Sequence, residues 1–172
     1  VISLNGIVTS QSKRVAGDAI NEALMAFIKR KFGMLIGEQM AEKIKINIGS
    51  AIHLENPAEM EIRGRDANSA LPSAKMINSN DIVPPIQTVL RQIIGGIKEV
   101  LEATPPELAS DIIDRGMVLS GGTAGLNNID ELFTLETGVP AHVVDEPILA
   151  VIKGLGIALD HLEILRRSMK VS

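Results

Sequence analysis

The stretch Gly116-Met117-Val118-Leu119-Ser120-Gly121-Gly122-Thr123-Ala124 decides how this chain is read. Met117, Val118 and Leu119 form a short apolar run of the kind found in strands covered on both faces. The paired glycines remove two Cβ atoms where the chain leaves the sheet, and a helix is predicted to open behind them. Ligands of open α/β sheets bind at the carboxyl ends of strands, which is where this turn falls. A flat ligand can then lie directly on the backbone. The same glycines equally suit a tight strand-to-helix connection chosen for its dihedral angles alone, so the rest of the chain has to decide.

Downstream, Leu126, Ile129, Leu132 and Phe133 predict a helix over 126–136, and Gly138 and Pro140 break it before a short strand at 141–144. A helix over 147–167 follows, with Pro147 in its first turn and Ile148, Val151, Ile152, Leu155, Leu159 and Leu162 as its buried face. Asp145 and Glu146 read as electrostatics at that helix start. Upstream, Ile86, Val89, Leu90, Ile93, Ile94, Ile97, Val100 and Leu101 give the clearest helical period, over 82–103. Gly95-Gly96 in its middle leaves room for another backbone to approach. Thr104-Pro105-Pro106 ends it, and a short helix over 106–113 leads into the opening strand.

Nearer the start, Asn5-Gly6 between apolar runs predicts a hairpin. A helix over 18–32 carries Asp18 at its start and Lys29, Arg30 and Lys31 at its end, matching the helix dipole, and Gly33 stops it. A second helix, over 37–46, has Met40 and Ile44 on one face. Gly49, Pro57, Gly64 and Pro72 then punctuate short runs, among them the alternating Glu59-Met60-Glu61-Ile62-Arg63. The order is α/β with one small α+β insertion. A sheet edge at the first residue predicts a fragment of a longer protein.

Composition excludes several classes. A net charge of −4 and an aromatic set of three Phe leave neither a basic surface nor base-stacking platforms for nucleic acid. The absence of cysteine rules out disulfides, thiol catalysis and thiolate metal sites. No apolar run approaches the roughly 18–20 residues of a membrane span. His53, His142 and His161 have no metal-ligand spacing. Asp111 and Asp114 flank a short helix as solvated carboxylates, and Arg166, Arg167 and Lys170 stand where a helix end favours cations.

Several runs carry a family resemblance. Arg14-Val15-Ala16-Gly17-Asp18, then Ile36-Gly37-Glu38 through Ala41-Glu42-Lys43-Ile44-Lys45, resemble MreB, the family of bacterial actin-like rod-shape-determining proteins. So do Met60-Glu61-Ile62-Arg63-Gly64-Arg65-Asp66 and Thr104-Pro105-Pro106-Glu107-Leu108-Ala109 leading to Asp114-Arg115-Gly116. Val118-Leu119-Ser120-Gly121-Gly122 and Glu136-Thr137-Gly138-Val139-Pro140 complete the ordered match over nearly the whole chain.

The resemblance implies an actin-like, ribonuclease-H-like α/β fold, of which this chain is the second half. Residues 1–32 and 80–172 would form its larger subdomain, and 33–79 a small inserted one. It further implies ATP, with Mg²⁺ in the intact parent, held with its adenosine between the helix bearing Glu42 and Lys45 and the turn Gly121, Gly122 and Thr123. Glu42 and Lys45, three apart, are neighbours on a helix face and read on their own as an ordinary surface ion pair. No hydrolytic residue is carried onto this span, so a slow ATPase activity would belong to the parent. The implied partners are further copies of the protein in a filament and the membrane-associated cell-shape and cell-wall machinery. The implied location is the cytoplasm, at the inner membrane face. Thr123 stands where the family usually has a third glycine, and Asn5, Gly125 to Asn128 and Lys153 also depart from its pattern. These departures leave two alternatives: a divergent relative that assembles without hydrolysing ATP, or an actin-superfamily ATPase of the chaperone or sugar-kinase type.

Overall fold

A computed structural model describes residues 1–3 and 6–162. Strands β1 (Ile2–Ser3) and β2 (Gly6–Ile7) pair as an antiparallel hairpin, but Ser3 opposes Gly6, so Gly6 belongs to β2 rather than to the turn expected at Asn5-Gly6. Helix α1 (Gly17–Phe32) follows, closed by Gly33 at φ 62°. The segment after it contains β3 (Met34–Leu35), α2 (Glu38–Ile48), β4 (Glu59–Asp66) and β5 (Pro72–Asn78), with the strands in an antiparallel sheet ordered β3-β4-β5. Ile62 opposes Lys75 across that sheet, and Ile62 and Ile77 turn inward while most of β5 faces solvent.

Helix α3 (Ser79–Glu102) starts three residues earlier than its apolar period implies. A reciprocal capping box sets that start: the Asp81 N–H donates to Asn78 Oδ1 at 3.0 Å, and the Asn78 N–H donates to Asp81 Oδ2 at 3.0 Å. Gly96 does not admit a backbone. It admits the stem of Lys13, whose Cγ lies 3.0 Å from where a Gly96 Cβ would sit, and Lys13 Nζ reaches Glu99 at 2.8 Å.

After α4 (Pro106–Arg115), β6 (Met117–Leu119) and β7 (Ala141–Val143) pair in parallel, in register Val118↔His142, with α5 (Ile129–Thr137) between them. Three expectations change here. The strand is not covered on both faces, because Val118 is 68% exposed. The double glycine opens one turn of 3-10 helix, Gly122–Gly125, and α5 begins only after Asn128 has entered the left-handed region. The last helix, α6, is Ala150–Asp160, preceded by a turn at Glu146–Leu149. Val151, Ile152, Leu155 and Leu159 of this helix, with Ile148 before it and Leu162 after it, are exposed rather than buried. The basic cluster at 166–170, the end of the helix expected to run to 167, and Asn5 lie outside the described residues.

One core joins these elements. The α1 stripe Ile20, Leu24 and Ile28 meets Ile44 and Ile48 of α2, Ile82, Ile86 and Leu90 of α3, and Ile62 of β4. Each is fully or almost fully buried, and each such side chain contributes about 1.5–3 kcal/mol of burial. The same cluster continues through Ile129, Leu132 and Phe133 of α5. Helix α2 is thus fixed against α1 on one side and, through the shared core, against the segment that follows the double glycine.

Candidate functional site

Helix α2 presents Ala41, Ile44 and Ile48 to the core, which leaves Glu42 and Lys45 on the flank beside the start of α1. Lys45 is drawn inward. Its side chain is 13% exposed, and Nζ donates to Glu42 Oε2 at 2.6 Å and to the Gly17 carbonyl at 3.3 Å. A second donor reaches the same carboxylate oxygen, Asn21 Nδ2 at 2.7 Å. Among the described residues nothing donates to the other oxygen, Oε1, and the Glu42 side chain is 43% exposed. This is a carboxylate held by one oxygen, with the other turned toward solvent.

The hydrogen bond from Lys45, and then that from Asn21, hold the Glu42 carboxyl below its ordinary value of 4.5, against an opposing push from burial. A carboxyl with a lowered native pKa stabilises the fold above its unfolded pKa. That contribution is lost as pH falls through the native value. Glu42→Gln is therefore expected to shrink the fall in thermal midpoint between about pH 6 and about pH 3. An unchanged pH slope in differential scanning fluorimetry would contradict this.

The double-glycine turn reaches the start of α1 through Thr123. A Cβ built on Gly121 or Gly122 meets nothing within 4 Å, so bare backbone faces open space there. The turn is anchored from behind, where the Gly121 N–H donates to the Pro147 carbonyl at 2.8 Å. Gly17 marks the convergence. A Cβ at Gly17 would lie 3.0 Å from Lys45 Nζ and 3.4 Å from Thr123 Oγ1. The missing side chain at Gly17 is what lets the ammonium of α2 and the hydroxyl of the turn draw close to one backbone position.

A further tie holds α2 to this turn. Asn127 Nδ2 donates to the Gly49 carbonyl at 2.9 Å, and the Ala51 N–H donates to the Asn127 carbonyl at 2.8 Å. Polar groups and bare backbone from three parts of the chain thus share one surface. A larger concavity, a groove of about 1210 Å³, lies elsewhere, between β1 and β6 over Ile93 and Ile97 of α3. Its lining is mainly apolar and includes none of Glu42, Lys45, Gly121, Gly122 and Thr123, so convergent polar chemistry rather than size selects the site.

Residues 1–167 match the family model described as MreB/Mbl protein. The chain belongs to the MreB/Mbl family. It is 45% identical over 163 residues to the cell shape-determining protein MreB of Escherichia coli K12, covering 95% of this chain and 47% of that protein. It is 41% identical to the cell shape-determining protein Mbl of Bacillus subtilis 168, with 95% and 49% covered. The crystal structure of MreB 5 of Spiroplasma citri bound to AMPPNP superposes with a TM-score of 0.88 at 33% identity, over 94% of this chain and 48% of that one. The chain therefore spans about half the length of the relatives it matches, and its fold is the actin-like α/β fold of MreB/Mbl proteins. The chaperone and sugar-kinase alternatives have no support beside this match.

Of the residues singled out from sequence, Glu42 and Lys45 are bonded to each other, and Thr123 and Lys45 both come near Gly17. Gly121 and Gly122 precede Thr123, and a Cβ on either meets nothing within 4 Å. Sequence reading misses Asn21, Gly17 and Asn127. For Asn21 the signal was available: it is a polar residue on the Ile20–Leu24–Ile28 stripe of an otherwise apolar helix face. Asn127 had no such signal, because its role depends on a contact 78 residues away. Among the described residues no cluster of His, Asp or Glu has the makings of a metal site, and no helix is long and apolar enough to cross a membrane.

Proposed function

We propose that this chain binds the adenosine part of ATP or ADP, with the ribose against Glu42 and the base over the bare backbone of Gly121 and Gly122, beside Lys45 and Thr123. The observation that carries this reading is the Glu42 carboxylate, tied down through Oε2 and free at Oε1, beside a turn whose glycines face open space. The fit is physical: a free carboxylate oxygen accepts from a hydroxyl, and a surface without side chains takes a flat ring. MreB 5 of Spiroplasma citri has been crystallised with AMPPNP, an ATP analogue, which supports the choice of nucleotide. In this reading the bound nucleotide tunes filament assembly. This chain's residues hold the nucleoside, and phosphates and any Mg²⁺ are assigned to no residue here.

In this reading residues 33–79 are a small subdomain inserted into a larger one, 1–32 with 80–172. The chain acts as part of an actin-like protomer that assembles with copies of itself into filaments. Those filaments determine rod cell shape and guide cell-wall synthesis from the cytoplasmic face of the membrane. Thr123 favours a second reading, assembly without ATP turnover, because its hydroxyl occupies space beside Gly17 at the site itself.

Gly122→Leu tests the site with little risk to the fold, since its new side chain points into open space. The expected result is a thermal midpoint within about 2 °C of the parent, with ADP affinity down at least about tenfold. Unchanged ADP affinity would remove the double glycine from the site.

A further inference from the structure

Asn21 is 3% exposed on the buried face of α1, one residue after Ile20 and three before Leu24. An amide at such a position loses its water, and here only part of that loss is recovered. Nδ2 donates to Glu42 Oε2 at 2.7 Å, whereas Oδ1 finds no donor among the described residues. An apolar side chain like those at 20, 24 and 28 carries no such penalty. The amide orientation is fixed by chemistry: turned over, Oδ1 would face a carboxylate oxygen. The working end of this side chain is the end on Glu42.

Two donors on one oxygen, one from α1 and one from α2, hold the carboxylate in a single plane and send Oε1 outward. The positive charge of Lys45 is already engaged by Glu42 and the Gly17 carbonyl. A phosphate gains nothing beside the free oxygen of an ionised carboxylate, and a neutral hydroxyl donor gains a charge-assisted bond.

We infer that Asn21 is a positioning residue for ligand recognition, its amide locking Glu42 so that Oε1 meets the hydroxyls of a nucleotide ribose. The inference rests on the nucleotide reading above and adds to it the residue that sets the carboxylate facing the ribose.

The test is titration of the chain with ADP and with 2′,3′-dideoxy-ADP, for the parent, Asn21→Asp and Asn21→Leu. Asn21→Asp keeps the side-chain shape but replaces the donor with a second carboxylate. It is expected to weaken ADP about tenfold and to leave the dideoxy analogue nearly unaffected, so that the ribose preference collapses. Asn21→Leu removes the donor without adding a charge, in a side chain like its neighbours on the same stripe, and is expected to lose ribose preference in the same direction. A purely structural lesion weakens both nucleotides in equal proportion, and that outcome overturns the inference, as does an unchanged preference in Asn21→Asp. If Asn21→Asp does not fold, Asn21→Leu decides alone: a lost ribose preference supports the inference and a retained one overturns it. A parent that binds neither nucleotide refutes the nucleotide reading itself, a result distinct from either.

Discussion

Gly49→Ala is expected to destabilise the protein by about 3 kcal/mol or more and to weaken nucleotide binding in the molecules that remain folded. Gly49 closes α2, and a methyl group there would lie 2.2 Å from the Lys45 carbonyl oxygen and 2.8 Å from Leu126 Cδ1. Neither neighbour has an easy escape. The carbonyl accepts the Gly49 N–H at 3.1 Å, and Leu126 is buried immediately before Asn127, which holds the Gly49 carbonyl. Relief requires the end of α2 to move away from the double-glycine segment, which separates Lys45 from Thr123. Chemical denaturation with an ADP titration on the same variant checks both effects. A loss below about 1 kcal/mol would mean that α2 and the turn are not rigidly coupled.

Ile44→Ala is expected to cost about 2–5 kcal/mol, and Ile46→Ala less than about 0.5 kcal/mol. The two residues sit on the same helix two positions apart, so propensity hardly separates them. Ile44 is wholly buried against α1 and β4, whereas Ile46 is 67% exposed. The first change empties part of the core that carries Glu42 and Lys45, and the second trims a side chain mostly in water. Urea midpoints compared for the pair measure how far core packing, rather than the exposed ion pair, positions α2. Equal losses would contradict the packing described here.

The helices were legible because each writes its buried face at a spacing of three or four residues, from Ile20–Leu24–Ile28 to Ile82–Ile86–Leu90. Caps were less so, since Asn78 is recognisable only once Asp81 is known to answer it. Strand β5 was missed because Ile77 alone among Pro72–Asn78 is buried, which leaves no alternation to read. Val118 and the apolar residues of α6 show the opposite failure. Their pattern states that they avoid water, but not what would cover them, and within this chain they remain exposed.

The site divides along the same line. Glu42 with Lys45 and Gly121 with Gly122 were legible as local motifs, but their relation came only from the family resemblance. It depends on Gly17, Asn21 and Asn127, whose contacts to α2 span 21 to 78 residues of sequence. A glycine that matters for the atoms beside it, rather than for its own dihedral angles, leaves no local trace.

Everything proposed here turns on adenosine lying between α2 and the double-glycine turn. Backbone amide resonances followed through an ADP titration would locate the nucleotide residue by residue. Concentration-dependent shifts are expected at Gly17, Glu42, Lys45 and 121–124, all fitting one dissociation constant, with at least about tenfold more ADP needed in Gly122→Leu. Shifts confined to Met117, Val118 and the groove over Ile93 and Ile97, or no shifts at millimolar ADP, would contradict that placement.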